Sequence, residues 1–493
     1  MKKIEAKNKF VIKFANVNGS GSASANQLFA KGIFRSGITV SPKNIFPSNI
    51  QGLPTWFEVR VSEKGYQGRR ESVDIMVAMN PQSYNQDVQE INPGGYILYD
   101  SSWKRDFGRT DINVIEIPLT KICLKEFADS KQRFLFKNIV YVGALSSLLG
   151  IDKNIYEVLI EEQFKGKEKL IEPNIKALGL GFNYAEENLR DRCAIKVEKS
   201  NKTDGMILTS GNDASGLGCI YGGATVCTWY PITPSTSLAE SFTSYCEELR
   251  IEPKSDKNKF AIIQAEDELA AIGMAIGANW NGARGFTATS GPGISLMSEF
   301  IGLAYFAEVP LVIFDIQRGG PSTGMPTRTQ QSDVLTCAYA SHGDTKHVLL
   351  MPSTPKECFD FAVEAFDLAD RLQTPIIVLS DLDLGMNDWT TPELKWDDSR
   401  EYDRGKVLSK ADLENLDTYG RYLDVDGDGI PYRTYPGTHP NKGAYFTRGT
   451  SHDENARYTE DGKVNAKNLS RLLKKYQTAS ELVPRPEFRQ DSK

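Results

Sequence analysis

Residues 260–293 read FAIIQAEDELAAIGMAIGANWNGARGFTATSGPG, and this stretch decides the fold. Phe260–Gln264 is a short apolar run suited to a buried strand. From Glu266 to Gly277 the Ala-rich pattern predicts a helix. A second strand is expected over Gly285–Thr289, closed by the turn-forming Ser290–Gly293. Strand, helix and strand in succession build a parallel sheet. Further apolar strands are expected at Val309–Phe314 and Pro375–Ser380, so residues 217–385 read as a doubly wound α/β domain.

Upstream, residues 1–195 read as another α/β domain. An apolar run at Phe10–Ala15 leads into NVNGSGSAS (16–24) and then a helical stretch holding Leu28, Phe29, Ile33 and Phe34. Strand-like runs at Trp56–Val61, Val73–Met79 and Tyr96–Tyr99 predict a mostly parallel sheet. Residues 196–216 are rich in Gly, Ser and Asn and read as a linker. From 386 to 493 the chain is polar and irregular, with helical periodicity only near Leu472–Tyr476.

The chain has 493 residues, room for about three domains at roughly 100–200 residues each. It carries 58 Lys and Arg against 64 Asp and Glu, a net charge of -6, which speaks against a broad nucleic-acid surface. No apolar stretch reaches the roughly 18 residues of a membrane span, and MKKIEAKNKFVIKF lacks the apolar core of a secretory signal. The seven cysteines are odd in number, scattered and without a CxxC pair. That argues against a disulfide framework or a self-contained zinc or iron–sulfur site, and points to a cytoplasmic protein.

Five constellations could carry chemistry. Gly19-Ser20-Gly21, between a strand and a helix, reads either as a tight turn or as a phosphate-binding one; Ser24 stands where GxGxxG needs glycine. Tyr230-Pro231-Ile232-Thr233-Pro234-Ser235 is a proline-fixed loop, with Ser235 as a helix cap and Leu238, Phe242, Tyr245 and Leu249 on one helix face. Thr233 projects there at a helix start that favours anions. In Gln264–Glu268, Asp267 and Glu268 read as first-turn acids complementing the helix dipole. Glu266 stands at the strand's carboxyl end, where α/β folds place ligands. Residues 317–328, QRGGPSTGMPTR, form an ordered irregular loop whose Arg318 and Arg328 suit a carboxylate. Asp424, Asp426 and Asp428 match the first half of an EF-hand loop, though Tyr435 takes the twelfth position; the turn is either a Ca²⁺ or Mg²⁺ site or an Asp-rich turn.

Taken together, YPITPSTS (230–237), QAEDELAAIGMAIGA (264–278), TATSGPG (287–293) and QRGGPSTGMPTRTQQSD (317–333) resemble the 2-oxoacid:ferredoxin oxidoreductase family. DVDGDGIPYRT with GAYFTRGTSHDE (443–454) is similar to its alpha subunit. NVNGSGSASANQLFAKG with IFPSNIQG (45–52) is similar to its gamma domain, fused here at the N-terminus as in the 2-oxoglutarate type. The resemblance implies a gamma-type α/β domain followed by a doubly wound, pyrimidine-type α/β domain that binds thiamine diphosphate.

The resemblance assigns residues as well. Glu266 matches the glutamate that hydrogen-bonds the aminopyrimidine ring, and Thr233 and Arg318 complete the catalytic set, with Arg318 on the substrate carboxylate. Tyr230, Pro231, Thr233, Glu266, Ser290 and Gly291 would contact cofactor, and Thr327 and Arg328 substrate, Arg328 as the second cation a 2-oxoglutarate needs. The implied reaction is CoA-dependent oxidative decarboxylation of a 2-oxo acid to an acyl-CoA and CO₂, with electrons passed to ferredoxin or flavodoxin. A beta subunit is expected to carry Mg²⁺ and the iron–sulfur cluster, so that the chain alone is inactive. Family alpha subunits usually continue into another α/β domain after ELVPRPE (481–487), a domain expected to be lost or on another chain. The alternatives are a non-oxidative thiamine-dependent decarboxylase and an inactive scaffold subunit.

Overall fold

The computed structural model describes residues 3–48, 52–255 and 257–486; residues 49–51 of the gamma-like motif and everything from 487 onward lie outside them. Two units are present, Met1–Thr209 with Asn387–Glu393, and Ser210–Met386 with Leu394–Lys493.

The first unit is built on strands β1 (Lys9–Val17), β2 (Val40–Ile45), β3 (Pro54–Ser62), β4 (Val73–Ala78), β5 (Ile91–Asp100) and β6 (Asn113–Ile117). Their order is β2-β3-β1-β4-β5-β6. The strands β1, β4, β5 and β6 pair in parallel. The pairs β2–β3 and β3–β1 are antiparallel, so the sheet is mixed, parallel in its larger part with an antiparallel edge. The physical reason is the short connection between β2 and β3, which permits an antiparallel pair without a helical crossover.

Alternation along β1 puts Phe10, Ile12 and Phe14 into one core, with Leu28, Phe29 and Ile33 of α1 (Ser22–Arg35). Helices α2 (Ser130–Leu149), α3 (Lys153–Gln163) and α4 (Ile171–Asn188) complete that layer. Gly19 and Gly21 take positive φ ahead of α1, and Asn138 of α2 donates to the Ser20 carbonyl at 2.9 Å. The expected linker is partly ordered structure: Met206–Ser210 is a strand paired with Asp388–Pro392.

The second unit holds β7 (Val226–Trp229), β8 (Ala261–Gln264), β9 (Gly285–Thr289), β10 (Leu311–Gln317), β11 (Val348–Leu350) and β12 (Pro375–Asp381), in the order β8-β7-β9-β10-β12-β11. Every pair is parallel. The chain steps out from β7 to β8 and returns to β9 on the other side, which makes the gap between β7 and β9 a topological switch point.

Helices α5 (Gly211–Tyr221), α6 (Thr236–Leu249), α7 (Glu268–Trp280), α8 (Gly291–Ala307) and α9 (Pro355–Leu372) cover the sheet. One face buries Phe242, Phe286, Phe314 and Phe366. The other buries Ile272, Ile294, Ile301, Ile313 and Ile377.

Element ends differ from the sequence expectation for local reasons. Helix α7 starts at Glu268 because the Asp267 carboxylate accepts from the Ala270 amide at 2.7 Å and so caps it. The apolar face of α6 runs through Leu238, Phe242 and Cys246, while Leu249 is exposed. Ser235 precedes α6, but its hydroxyl bonds the Ile232 carbonyl and provides no side-chain cap.

The tail is more ordered than its composition suggests. Helix α10 (Gly462–Leu482) docks in the second unit through a buried ionic cluster. Glu308, with no exposed surface, pairs with Arg471 and with Lys475 at 2.8 Å. Arg284 and Arg433 meet Asp370 at 2.9 and 2.8 Å, all three buried.

Candidate active site

The carboxyl ends of β7, β9 and β10 carry the loops that the sequence singled out. Past β7, the loop at 230–235 presents the Thr233 carbonyl, which accepts from Arg318 Nη1 at 2.6 Å. Arg318 follows β10, is 7% exposed, and its Nε is buried without a partner among the described residues. Burial disfavours its charged form, and the Asp333 carboxylate works the other way. A guanidinium held by one carbonyl, with donors to spare, is prepared for a carboxylate.

Past β9, Ser290 is fully buried with an unpartnered hydroxyl, as is Thr287 within the strand. Gly291 and Gly293 open helix α8 and cannot carry a side chain. A Cβ on Gly291 would fall 2.5 Å from an Asp333 carboxylate oxygen; one on Gly293 would lie 1.9 Å from Thr289 Oγ1 and 3.2 Å from Glu268 Cγ. Glu268, Thr289 and Gly293 therefore converge beside the switch point. Glu268 is 8% exposed, and among the described residues no hydrogen bond or ion pair engages its carboxylate.

The sequence favoured Glu266 over its neighbours, but the buried acid of the motif is another. Glu266 lies exposed beyond β8, an edge strand whose own residues are largely exposed. The first turn of α7 turns Glu268 inward while Asp267 caps it, so the buried carboxylate of the QAEDE motif is Glu268. Spacing within the motif could have found it, since the helix starts one residue past its cap.

The loop at 317–333 is closed on itself. Gly319 donates to the Arg328 carbonyl at 2.9 Å, and the Asp333 amide donates to Gln317 Oε1 at 3.0 Å. Between this loop and the start of α8 runs a groove of about 600 Å³, lined by Arg318, Asp333, Ser290's neighbour Gly291, Thr323, Gln330 and Thr336 among others. Thr327 and Arg328 are not part of that lining. Arg328 is exposed and donates to the Thr327 carbonyl and hydroxyl. Tyr230 is half-buried and Pro231 exposed on the neighbouring loop.

The Asp-rich turn is not arranged as a cation site. Lys406 Nζ sits between Asp426 and Asp428 at 2.6 and 2.9 Å, and Asp424 accepts from the Gly427 and Gly429 amides. Among the described residues no group of three or more His, Cys, Asp or Glu is placed to hold a metal ion. Of the two readings of Asp424, Asp426 and Asp428, a Ca²⁺ or Mg²⁺ site or an Asp-rich turn, the geometry favours the turn, with the Lys406 ammonium between two of the carboxylates.

An open parallel sheet with its polar cradle at a switch point defines a cofactor-binding α/β enzyme domain. Comparison with known proteins makes this specific. Residues 217–424 match the family described as pyruvate flavodoxin/ferredoxin oxidoreductase, thiamine diphosphate-binding, and residues 11–184 match pyruvate ferredoxin/flavodoxin oxidoreductase. A 2-oxoacid:ferredoxin oxidoreductase alpha subunit of Aeropyrum pernix is 31% identical over 94% of this chain and 78% of its own. The KorA subunit of 2-oxoglutarate synthase from Methanothermobacter marburgensis is 48% identical over 35% of this chain and 43% of its own. A solved 2-oxoglutarate:ferredoxin oxidoreductase of Magnetococcus marinus, with 2-oxoglutarate, coenzyme A and succinyl-CoA bound, superposes with a TM-score of 0.84. It is 29% identical, and the match covers 97% of this chain and 80% of that one. The chain belongs to the 2-oxoacid:ferredoxin oxidoreductase family, among its alpha subunits.

Proposed function

We propose that this chain supplies the pyrimidine-side half of an enzyme that oxidatively decarboxylates a 2-oxo acid, 2-oxoglutarate foremost, to its acyl-CoA. The observation that carries the reading is the buried, unpartnered Glu268 carboxylate beside Thr289 and Gly293 at the switch point. The relative from Magnetococcus marinus, with 2-oxoglutarate and coenzyme A bound, supports the substrate class.

The residues fit thiamine diphosphate. Unpartnered hydroxyls on Thr287 and Ser290 and two glycines that leave no room for a Cβ make a polar cradle for a flat ring. When bound, the cofactor supplies a nucleophilic thiazolium carbon and an electron sink. Glu268 would hold the ring by sharing a proton with one of its nitrogens, and its low exposure keeps water from competing for the carboxylate oxygens. Arg318 orients the substrate through its 2-oxo acid carboxylate. The Thr233 carbonyl fixes the guanidinium, and the Gln317 side chain pins the far end of the loop that carries it.

The remaining parts are assigned to a beta subunit: the diphosphate and its Mg²⁺, the iron–sulfur cluster, and contact with ferredoxin or flavodoxin. The seven free, buried cysteines fit a reducing, cytoplasmic setting. No helix among the described residues is long and apolar enough to cross a membrane. Co-expression with the beta subunit, followed by CoA-dependent reduction of a viologen dye, tests the reading. Reduction that needs both chains, a 2-oxo acid and CoA is expected. CO₂ release by this chain alone, with thiamine diphosphate and Mg²⁺ and no acceptor, would instead support a non-oxidative decarboxylase.

A further inference from the structure

The groove beside Arg318 has an unusual charge inventory for a site that takes a dicarboxylate. Of the residues that line it, only Arg318 and Asp333 are charged, and they offset one another. The second arginine of the loop, Arg328, is not among them. The rest of the wall is neutral and polar. Thr323, Gln330 and Thr336 are exposed on it, and among the described residues no hydrogen bond engages their side chains. Apolar lining is confined to Leu296 and the two prolines Pro292 and Pro321.

Hydroxyl and amide groups can both donate and accept. They satisfy a carboxylate by donating and a carboxamide by doing both. A guanidinium can only donate, so it prefers the anion strongly. A wall of uncommitted polar groups also rejects an apolar tail, because those groups lose water and gain no partner.

We propose that Thr323, Gln330 and Thr336 receive the distal polar group of the 2-oxo acid, so that a distal carboxamide is accepted alongside a distal carboxylate and branched apolar tails are refused. This rests on the reading of the groove as the substrate site of a 2-oxo acid oxidoreductase.

The test uses the complex of this chain with its beta subunit and compares kcat/KM for 2-oxoglutarate, 2-oxoglutaramate, 2-oxobutyrate and 2-oxoisovalerate. The carboxamide is expected within about tenfold of the carboxylate, and the branched acid lower by about a hundredfold or more. Gln330→Leu and Thr336→Val, each at an exposed position, are expected to move the ratio of kcat/KM between 2-oxoglutarate and 2-oxobutyrate by about tenfold. A carboxamide rejected by more than about a hundredfold, a preferred branched acid, or a ratio unmoved in both variants overturns the proposal and leaves 2-oxo acid oxidation standing. A complex that oxidises none of the four acids overturns the 2-oxo acid reading itself, and this proposal with it.

Discussion

A carboxylate can hold a cofactor ring only where water does not compete for its oxygens, and two residues decide that in this chain. Glu266 and Glu268 differ by one capping residue. Asp267 starts the helix, which leaves Glu266 exposed beyond the strand and turns Glu268 inward toward Gly293. Arg318 is set the same way, by burial and by a single carbonyl partner. Replacing it with lysine keeps the charge but loses the fork, so KM for the 2-oxo acid should rise by about tenfold or more while the protein stays folded. Steady-state kinetics of the reconstituted enzyme check this. Gly293→Ala would drive a methyl group against Thr289 Oγ1 and toward Glu268, with an expected loss of about 1–3 kcal/mol in thermal unfolding and weaker cofactor binding. The loops bearing Thr233, Ser290 and Arg318 were legible because proline and glycine punctuate them. The burial of Glu268 was not, because Asp267 and Glu268 both read as first-turn acids, whereas Asp267, the one good cap among the three acids, stands outside the helix and turns Glu268 inward.

At the scale of elements, the parallel sheet of the second unit was readable from apolar runs such as PIIVLS at 375–380. Strand β2 was not, because VSPKNI holds a proline and a lysine. Lys43 is nonetheless only 3% exposed, with its ammonium 3.4 Å from the centre of the Trp389 ring, so a tertiary contact makes a strand of a polar segment. Helix α10 was visible only around Leu472–Tyr476, in its middle, since its docking face is charged. Arg471 and Lys475 reach the buried Glu308, so Glu308→Gln leaves two cations without their counter-ion. A loss of about 3–5 kcal/mol in denaturant unfolding is expected. Burial opposes ionisation of Glu308, but Arg471 and Lys475 outweigh it and hold the carboxyl well below its usual range. A folded value below the unfolded one means that this stabilisation is complete above pH 4.5, the ordinary glutamate value, and is lost as the pH falls toward the folded one. The Asp424–Gly429 turn belongs to the same docking, since the Thr478 hydroxyl donates to the Asp428 carbonyl at 2.7 Å. Adding Ca²⁺ should leave the melting temperature unchanged, whereas Lys406→Met should lower it by leaving Asp426 and Asp428 to repel one another.

At the scale of the molecule, the family was legible because several motifs fall in one order along the chain. The division of labour was not readable from residue counts alone. The seven cysteines show no metal or disulfide spacing in the sequence; that all seven are buried and free makes them packing residues in this chain. The proposed assembly gives this chain the ring-binding carboxylate and the substrate arginine, and gives its partner the metal and the cluster. Two glutamates one residue apart therefore make the sharpest test. In the complex with the beta subunit, Glu266→Gln and Glu268→Gln are compared with the wild type for CoA-dependent viologen reduction on 2-oxoglutarate. Loss of about a hundredfold or more in Glu268→Gln, with Glu266→Gln within a few-fold of wild type, is the predicted result. A wild-type rate in Glu268→Gln, or the loss falling on Glu266→Gln instead, would contradict the account.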